Sequence, residues 1–93
     1  MQPETRFKIR IRKHLDEIPK SWWFKVQLRA LRGIPDIIGC VRGRFVALEL
    51  KVEGNKADPL QGWVIKKIAA AGGYARVVYP HNMAEVLAEL EGL

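Results

Sequence analysis

Residues 33–51 read GIPDIIGCVRGRFVALELK, and this stretch decides the fold. Pro35 pre-sets an extended backbone, and Asp36, Ile37 and Ile38 open an apolar strand that runs to about Val41. Arg42-Gly43 supplies a turn. From Arg44 the chain is again β-branched and apolar until its last third, where Glu49 and Lys51 interrupt the pattern on a single face. If Arg42 and Gly43 are the only loop residues, Val41 faces Arg44, and counting back along the ladder places Asp36 directly opposite Glu49. A three-residue loop would shift the two acids apart.

Directly opposed side chains lie about 5 Å apart at Cβ, and like charges there are destabilising unless a cation sits between them. Lys51 returns to the face of Glu49, so one end of an apolar hairpin carries two acids and an ammonium. Carboxylates at that separation suit Mg2+ or Mn2+, hard cations that take one or two carboxylates, waters and a substrate phosphate. Such a metal neutralises a scissile phosphate and activates its bound water. Lys51 would hold or deprotonate the attacking water, or offset charge developing on the phosphorane. The chemistry expected is phosphodiester hydrolysis; the alternative is a pair of solvated acids with a lysine salt bridge.

Before the hairpin, Phe7, Ile11, Leu15 and Ile18 recur at helical spacing from Glu4 to about Ile18, among many basic residues. Pro19 closes this helix. Ser21 to Leu28 is expected as a strand, with Trp22, Phe24, Val26 and Leu28 on one face and Trp23, Lys25 and Gln27 on a mixed, half-covered one. After the hairpin, Asp58-Pro59 caps a helix whose stripe is Leu60, Trp63, Val64, Ile68 and Ala71, stopped by Gly72-Gly73. Tyr74 to Tyr79 alternates as a strand, and Asn82 can cap a last helix with Met83, Val86, Leu87 and Leu90 inward. The order is αβββαβα, without repeats.

The chain has 93 residues, 48% hydrophobic and 28% charged, which bounds it to one folded domain, residues 1–93. A domain this small has little core, and association would help it. The formal charge is +6, with a pI near 9.8, a balance that favours polyanions. Most of the basic excess falls in the half that carries Asp36, Glu49 and Lys51. Arg6, Arg10, Lys13, Arg29, Arg32, Arg42 and Arg44 are therefore the expected DNA-binding residues, the alternative being mere solubilising charge. Cys40 is the one cysteine, which fits a reducing compartment and leaves no zinc cluster. It is expected to be a buried small apolar side chain. His14 and His81 are isolated from other metal-ligating types. No apolar run approaches a membrane span or a signal peptide, so a cytoplasmic protein without membrane partners is expected.

Pro35-Asp36 followed by Glu49-Leu50-Lys51 resembles the PD-(D/E)xK nuclease signature. Together with GIPDIIG and the helical Gln61, the chain resembles the virus-type replication-repair nuclease (VRR-NUC) family over nearly its whole length. The resemblance implies a small α/β restriction-endonuclease-like core with a central mixed sheet flanked by helices. It also implies an Mg2+- or Mn2+-dependent endonuclease on branched DNA, with a place in DNA repair. Stand-alone phage and bacterial members resemble homodimeric Holliday junction resolvases, so a homodimer is implied here. Carried onto this sequence, the metal ligands are Asp36, Glu49 and the Leu50 carbonyl, and Lys51 is the catalytic lysine. Gln61 matches the family's helical glutamine, open between a role at the attacking water or Lys51 and an ordinary surface amide. Glu4 matches the acid of the first helix, reaching the metal directly or through water, or serving only the helix dipole. Two other functions stay open: a flap- or end-processing nuclease subunit of a larger complex, and a non-catalytic basic DNA-binding module.

Overall fold

The left-handed backbone at Arg42 (φ 46°) and Gly43 (φ 85°) makes a two-residue turn of the kind that matches the twist of a hairpin. It joins β2 (Ile37–Val41) to β3 (Arg44–Leu50), paired from Val41↔Arg44 to Ile37↔Leu48. This is the expected register. The computed structural model describes residues 1–27 and 32–93. Its other elements are α1 (Pro3–Asp16), β1 (Ser21–Lys25), α2 (Pro59–Ala70), β4 (Tyr74–Val78) and α3 (Met83–Glu91). The sheet order is β1-β2-β3-β4. The first three strands are antiparallel, and β4 runs parallel to β3 because α2 carries the chain back across the sheet. The result is the expected small α/β fold, a mixed sheet flanked by helices.

One sheet face carries Trp23, Ile37, Val41, Val46, Leu48, Leu50 and Val78, and α1 and α3 close over it with Phe7, Ile11, Leu15, Val86 and Leu90. On the other face α2 packs against β3 and β4. No helix among the described residues is long and apolar enough to cross a membrane.

Burial along β1 is the inverse of what the expected pattern implied. Trp23 is only 5% exposed, while Trp22 is 61% and Phe24 50% exposed, stacked on each other on the open face. Two things select Trp23. Its indole N–H donates to the Leu15 carbonyl at 2.9 Å, satisfying the one polar atom that burial would strand. Across the ladder stands Gly39, where a Cβ would lie 2.4 Å from the Trp23 ring, so the missing side chain is the space the indole fills. Strand β1 also ends at Lys25, short of the expected Leu28, which lies outside the described residues.

Three smaller expectations are also corrected. The stripe on α2 is not buried in the core: Leu60 is 43% and Trp63 57% exposed, and Leu60 and Val64 lean on the chain at Gly33. Asn82 does not cap α3; its side chain bridges Tyr79 N–H and the Val77 carbonyl and so holds the preceding turn. Cys40 is half-buried rather than buried, sharing the open face with its ladder partner Trp22.

The tight fit at Gly39 predicts that Gly39→Ala destabilises the protein by about 1–3 kcal/mol through overpacking. In α2, Gly62 has nothing within 4 Å of where a Cβ would stand. Gly62→Ala should therefore stabilise by about 0.5–1 kcal/mol by restricting the unfolded chain. Urea denaturation of both variants checks the pair, and equal effects would show that the ring is not packed over Gly39.

Candidate active site

At the end of the hairpin away from the turn, Asp36 is held at two points. Its backbone carbonyl accepts from Val26 N–H at 2.8 Å, extending the β1–β2 ladder, and its Oδ2 accepts from Leu50 N–H at 2.9 Å. The N–H and C=O of one strand residue leave the strand on the same side, so the Leu50 carbonyl also points toward Asp36.

Glu49 is 2% exposed and is the one buried charged residue among those described. Its Oε2 accepts from Gln61 Nε2 at 2.8 Å and lies 3.2 Å from Lys51 Nζ. Its Oε1 is buried with no hydrogen-bond partner. An unpaired buried carboxylate oxygen is costly, and native proteins rarely keep one without a use. Burial raises the Glu49 pKa most, the charge of Asp36 raises it further, and the hydrogen bond and charge of Lys51 pull it back.

Gln61 is fixed by the start of α2. Asp58 Oδ1 accepts from Gln61 N–H at 2.9 Å, and Gln61 Oε1 accepts from Asp58 N–H at 3.0 Å, a capping box that satisfies two helix-end donors reciprocally. With its oxygen so engaged, the amide can only turn its NH2 to Glu49. The glutamine acts through Glu49, and its bond goes to that acid rather than to Lys51.

Asp36, Glu49, Lys51, Gln61 and Leu50 are thus brought together. Glu4 is not: its carboxylate pairs with Lys8 at 3.4 Å on the helix surface, and no third acid, histidine or cysteine completes a metal-binding cluster among the described residues. The basic residues divide. Lys13 lines a cleft of about 690 Å3 between α1 and the β1–β2 edge, with Asp36 at its wall. Arg6 and Arg10 line a second groove, on the flank of α1 that meets Val52 and Glu53, next after Lys51. Arg32 is exposed near Pro35, and Arg29 lies outside the described residues.

Arg42 and Arg44 sit at the turn, the far end of the hairpin. The Arg42 guanidinium donates to the carbonyls of Pro19, Leu90, Glu91 and Leu93 at 2.7–3.0 Å, gathering the C-terminal carbonyls of α3. Arg44 donates to the Gly72 carbonyl at 3.1 Å. Both side chains are engaged within the fold. Sequence reasoning passed over Lys8 and Lys25, which share the Lys13 cleft. The ladder carried the signal for Lys25, since its partner Ile37 is the neighbour of Asp36.

A solved structure described as a VRR_NUC domain matches this chain with a TM-score of 0.77, covering 96% of this chain and 97% of that one at 22% sequence identity. The chain therefore has the VRR_NUC fold, as its motifs implied. No family model and no curated protein matches the sequence.

The raised Glu49 pKa fixes the sign of a pH effect. The folded state holds the Glu49 proton more tightly than the unfolded chain, whose ordinary value is 4.5. Its contribution to stability is full below that value and is lost as pH rises through the raised one. Glu49→Gln, neutral throughout, should melt higher than the wild type near pH 7 without divalent metal. The gap should close as pH falls to about 4. Melting curves across this range check it, and a variant less stable at every pH would contradict the sign.

Proposed function

We propose that the protein is a divalent-metal-dependent endonuclease that hydrolyses DNA phosphodiester bonds, with branched DNA such as a four-way junction as its substrate. The observation that carries this is Glu49: a buried carboxylate with one oxygen held by Gln61 and Lys51 and the other left unpaired beside Asp36. A protein that only bound DNA would gain nothing from two acids placed beside phosphate.

The donor set fits Mg2+ or Mn2+, since Asp36, Glu49 Oε1 and the Leu50 carbonyl are all oxygen donors on one edge. Such an ion, when bound, neutralises a phosphate oxygen and lowers the pKa of a coordinated water. The chain's own residues do the rest. Gln61 and Lys51 both engage Oε2, which leaves Oε1 as the free oxygen of Glu49. Leu50 N–H fixes the Asp36 carboxylate in the same way. The Lys51 side chain is 23% exposed, so its ammonium is reachable by a phosphate and can offset charge that builds up there. Arg6 and Arg10 offer phosphate contacts on one flank of α1, and Lys13 on the other. Residency in the cytoplasm, in contact with DNA, suits this chemistry and the lone half-buried thiol.

A homodimer belongs to the same proposal. Trp22, Phe24 and Phe45 are 46–61% exposed on the sheet face that α2 leaves open, Trp22 and Phe45 in one row across Cys40. Aromatic side chains bury about 150–250 Å2 each, so these three at about half exposure offer roughly 250–400 Å2 of apolar surface, the size of the largest patch on many monomers. A two-fold pair would cover it and present two sites to a substrate that needs two symmetric cuts.

Asp36→Asn, Glu49→Gln and Lys51→Ala should each lower junction cleavage in Mg2+ by at least about 100-fold, the scale of an electrostatic or acid–base contribution. Gel assays on junction, flap, duplex and single-stranded DNA with Mg2+, Mn2+ or EDTA check this. Near wild-type turnover by any one variant, or cleavage in EDTA, would remove the assignment. The double variant Trp22→Glu/Phe24→Glu should sediment as a monomer at micromolar concentration where the wild type is a dimer. A wild type that is monomeric alone and on a junction, yet nicks it in pairs, would rule the dimer out.

A further inference from the structure

Helix α1 is basic on its outer surface, yet Ile9 stands there 56% exposed, between Lys8 and Arg10. It lines the cleft that leads to Asp36, together with Val26 and Ile37, and the cleft rim carries Lys8, Lys13 and Lys25. From this arrangement, and resting on the nuclease proposal, we infer that the cleft takes an unpaired DNA strand, so that nucleotides beside the cut are held single-stranded.

An apolar wall between cations discriminates between paired and unpaired DNA. In a duplex the base faces are stacked inside, and the protein meets phosphates, sugars and base edges, so Ile9 and Val26 would cover little apolar surface there. An unpaired base presents its faces, and contact with Ile9 and Val26 removes apolar surface from water on both sides. At about 690 Å3 the cleft is within the range of sites that enclose a whole small ligand.

The charges are available. Lys13 and Lys25 make no ion pair among the described residues, and Asp16, the acid on the rim, is bonded to Arg12 at 3.0 Å. The Lys8–Glu4 pair is open to solvent, with Lys8 half-buried and Glu4 exposed, and costs little to exchange for a phosphate. Lys25 closes the rim on the strand side, facing α1 like Trp23 two residues earlier. The cations thus flank an apolar strip that ends at the first acid of the site.

Binding measured without divalent metal separates this inference from the chemistry. Fluorescence anisotropy of a labelled single strand, a duplex of the same sequence and a duplex with a single-stranded flap should rank the flap and single strand above the duplex. Lys13→Glu/Lys25→Glu should weaken single-strand binding at least tenfold and reduce its salt slope by about 1.4, two contacts at about 0.7 each. Ile9→Ser should weaken it several-fold with no change in salt slope, since it removes an apolar contact, and should leave duplex binding unaltered. Both variants change exposed residues, and unchanged melting confirms their fold. Equal losses on duplex and single strand would show a general electrostatic surface and overturn the inference. So would an Ile9→Ser variant that binds the single strand like the wild type. If single-strand binding behaves as stated but no substrate is cut with Mg2+ or Mn2+, the cleft stands and the nuclease proposal falls.

Discussion

A two-residue turn has no slack. With Arg42 and Gly43 both in the left-handed region, the chain reverses without an extra residue, and each later pairing of β2 with β3 follows from that one contact. A slip of one residue would rotate every side chain of β3 to the opposite face. Leu48 would leave the core, and Glu49 would be driven under α1 and α3 among Ile11, Leu15 and Leu90, where nothing could pair with it. The site therefore depends on a turn at the far end of the same hairpin. Arg42 serves it twice, by its backbone and by the guanidinium that ties the turn to the end of α3.

Around Glu49 the fold trades stability for arrangement. A buried carboxylate beside a second acid is unfavourable, and the partial relief from Lys51 and Gln61 leaves one oxygen unserved. Helix α2 has no fully buried residue, so apolar packing anchors it only weakly. The capping box orients the Gln61 amide, and the amide then joins the helix start to β3 through Glu49. The polar contact that restrains the acid also restrains the helix.

Local rules made much of this legible in the sequence. The turn at Arg42-Gly43 and the start of α2 at Asp58-Pro59 are set by near neighbours, and the opposition of Asp36 and Glu49 follows by counting. The orientation of β1 was not legible, because Trp22, Trp23 and Phe24 put apolar surface on both faces. The choice was made by Gly39 across the ladder and by the Leu15 carbonyl on another element. The contacts of Arg42 and Arg44 within the fold were not legible either, because the carbonyls they serve, at Leu90 and Gly72 among others, are far away in sequence. Glu4 falls on the expected helix, but helical spacing cannot say whether a flexible side chain turns to a metal or to Lys8 one turn on.

The three tryptophans divide the molecule optically. Trp23 is enclosed and hydrogen-bonded, so its indole senses a fixed, water-poor environment as long as the core is intact. Trp22 stands in water on the open sheet face and Trp63 on α2, with the Lys67 ammonium 5.5 Å from its ring centre. Emission from the folded chain is therefore a sum of one buried and two solvated fluorophores. A collisional quencher in the solvent reaches the latter two and spares Trp23, so core integrity and exposure of the surface indoles can be followed separately in one unlabelled sample.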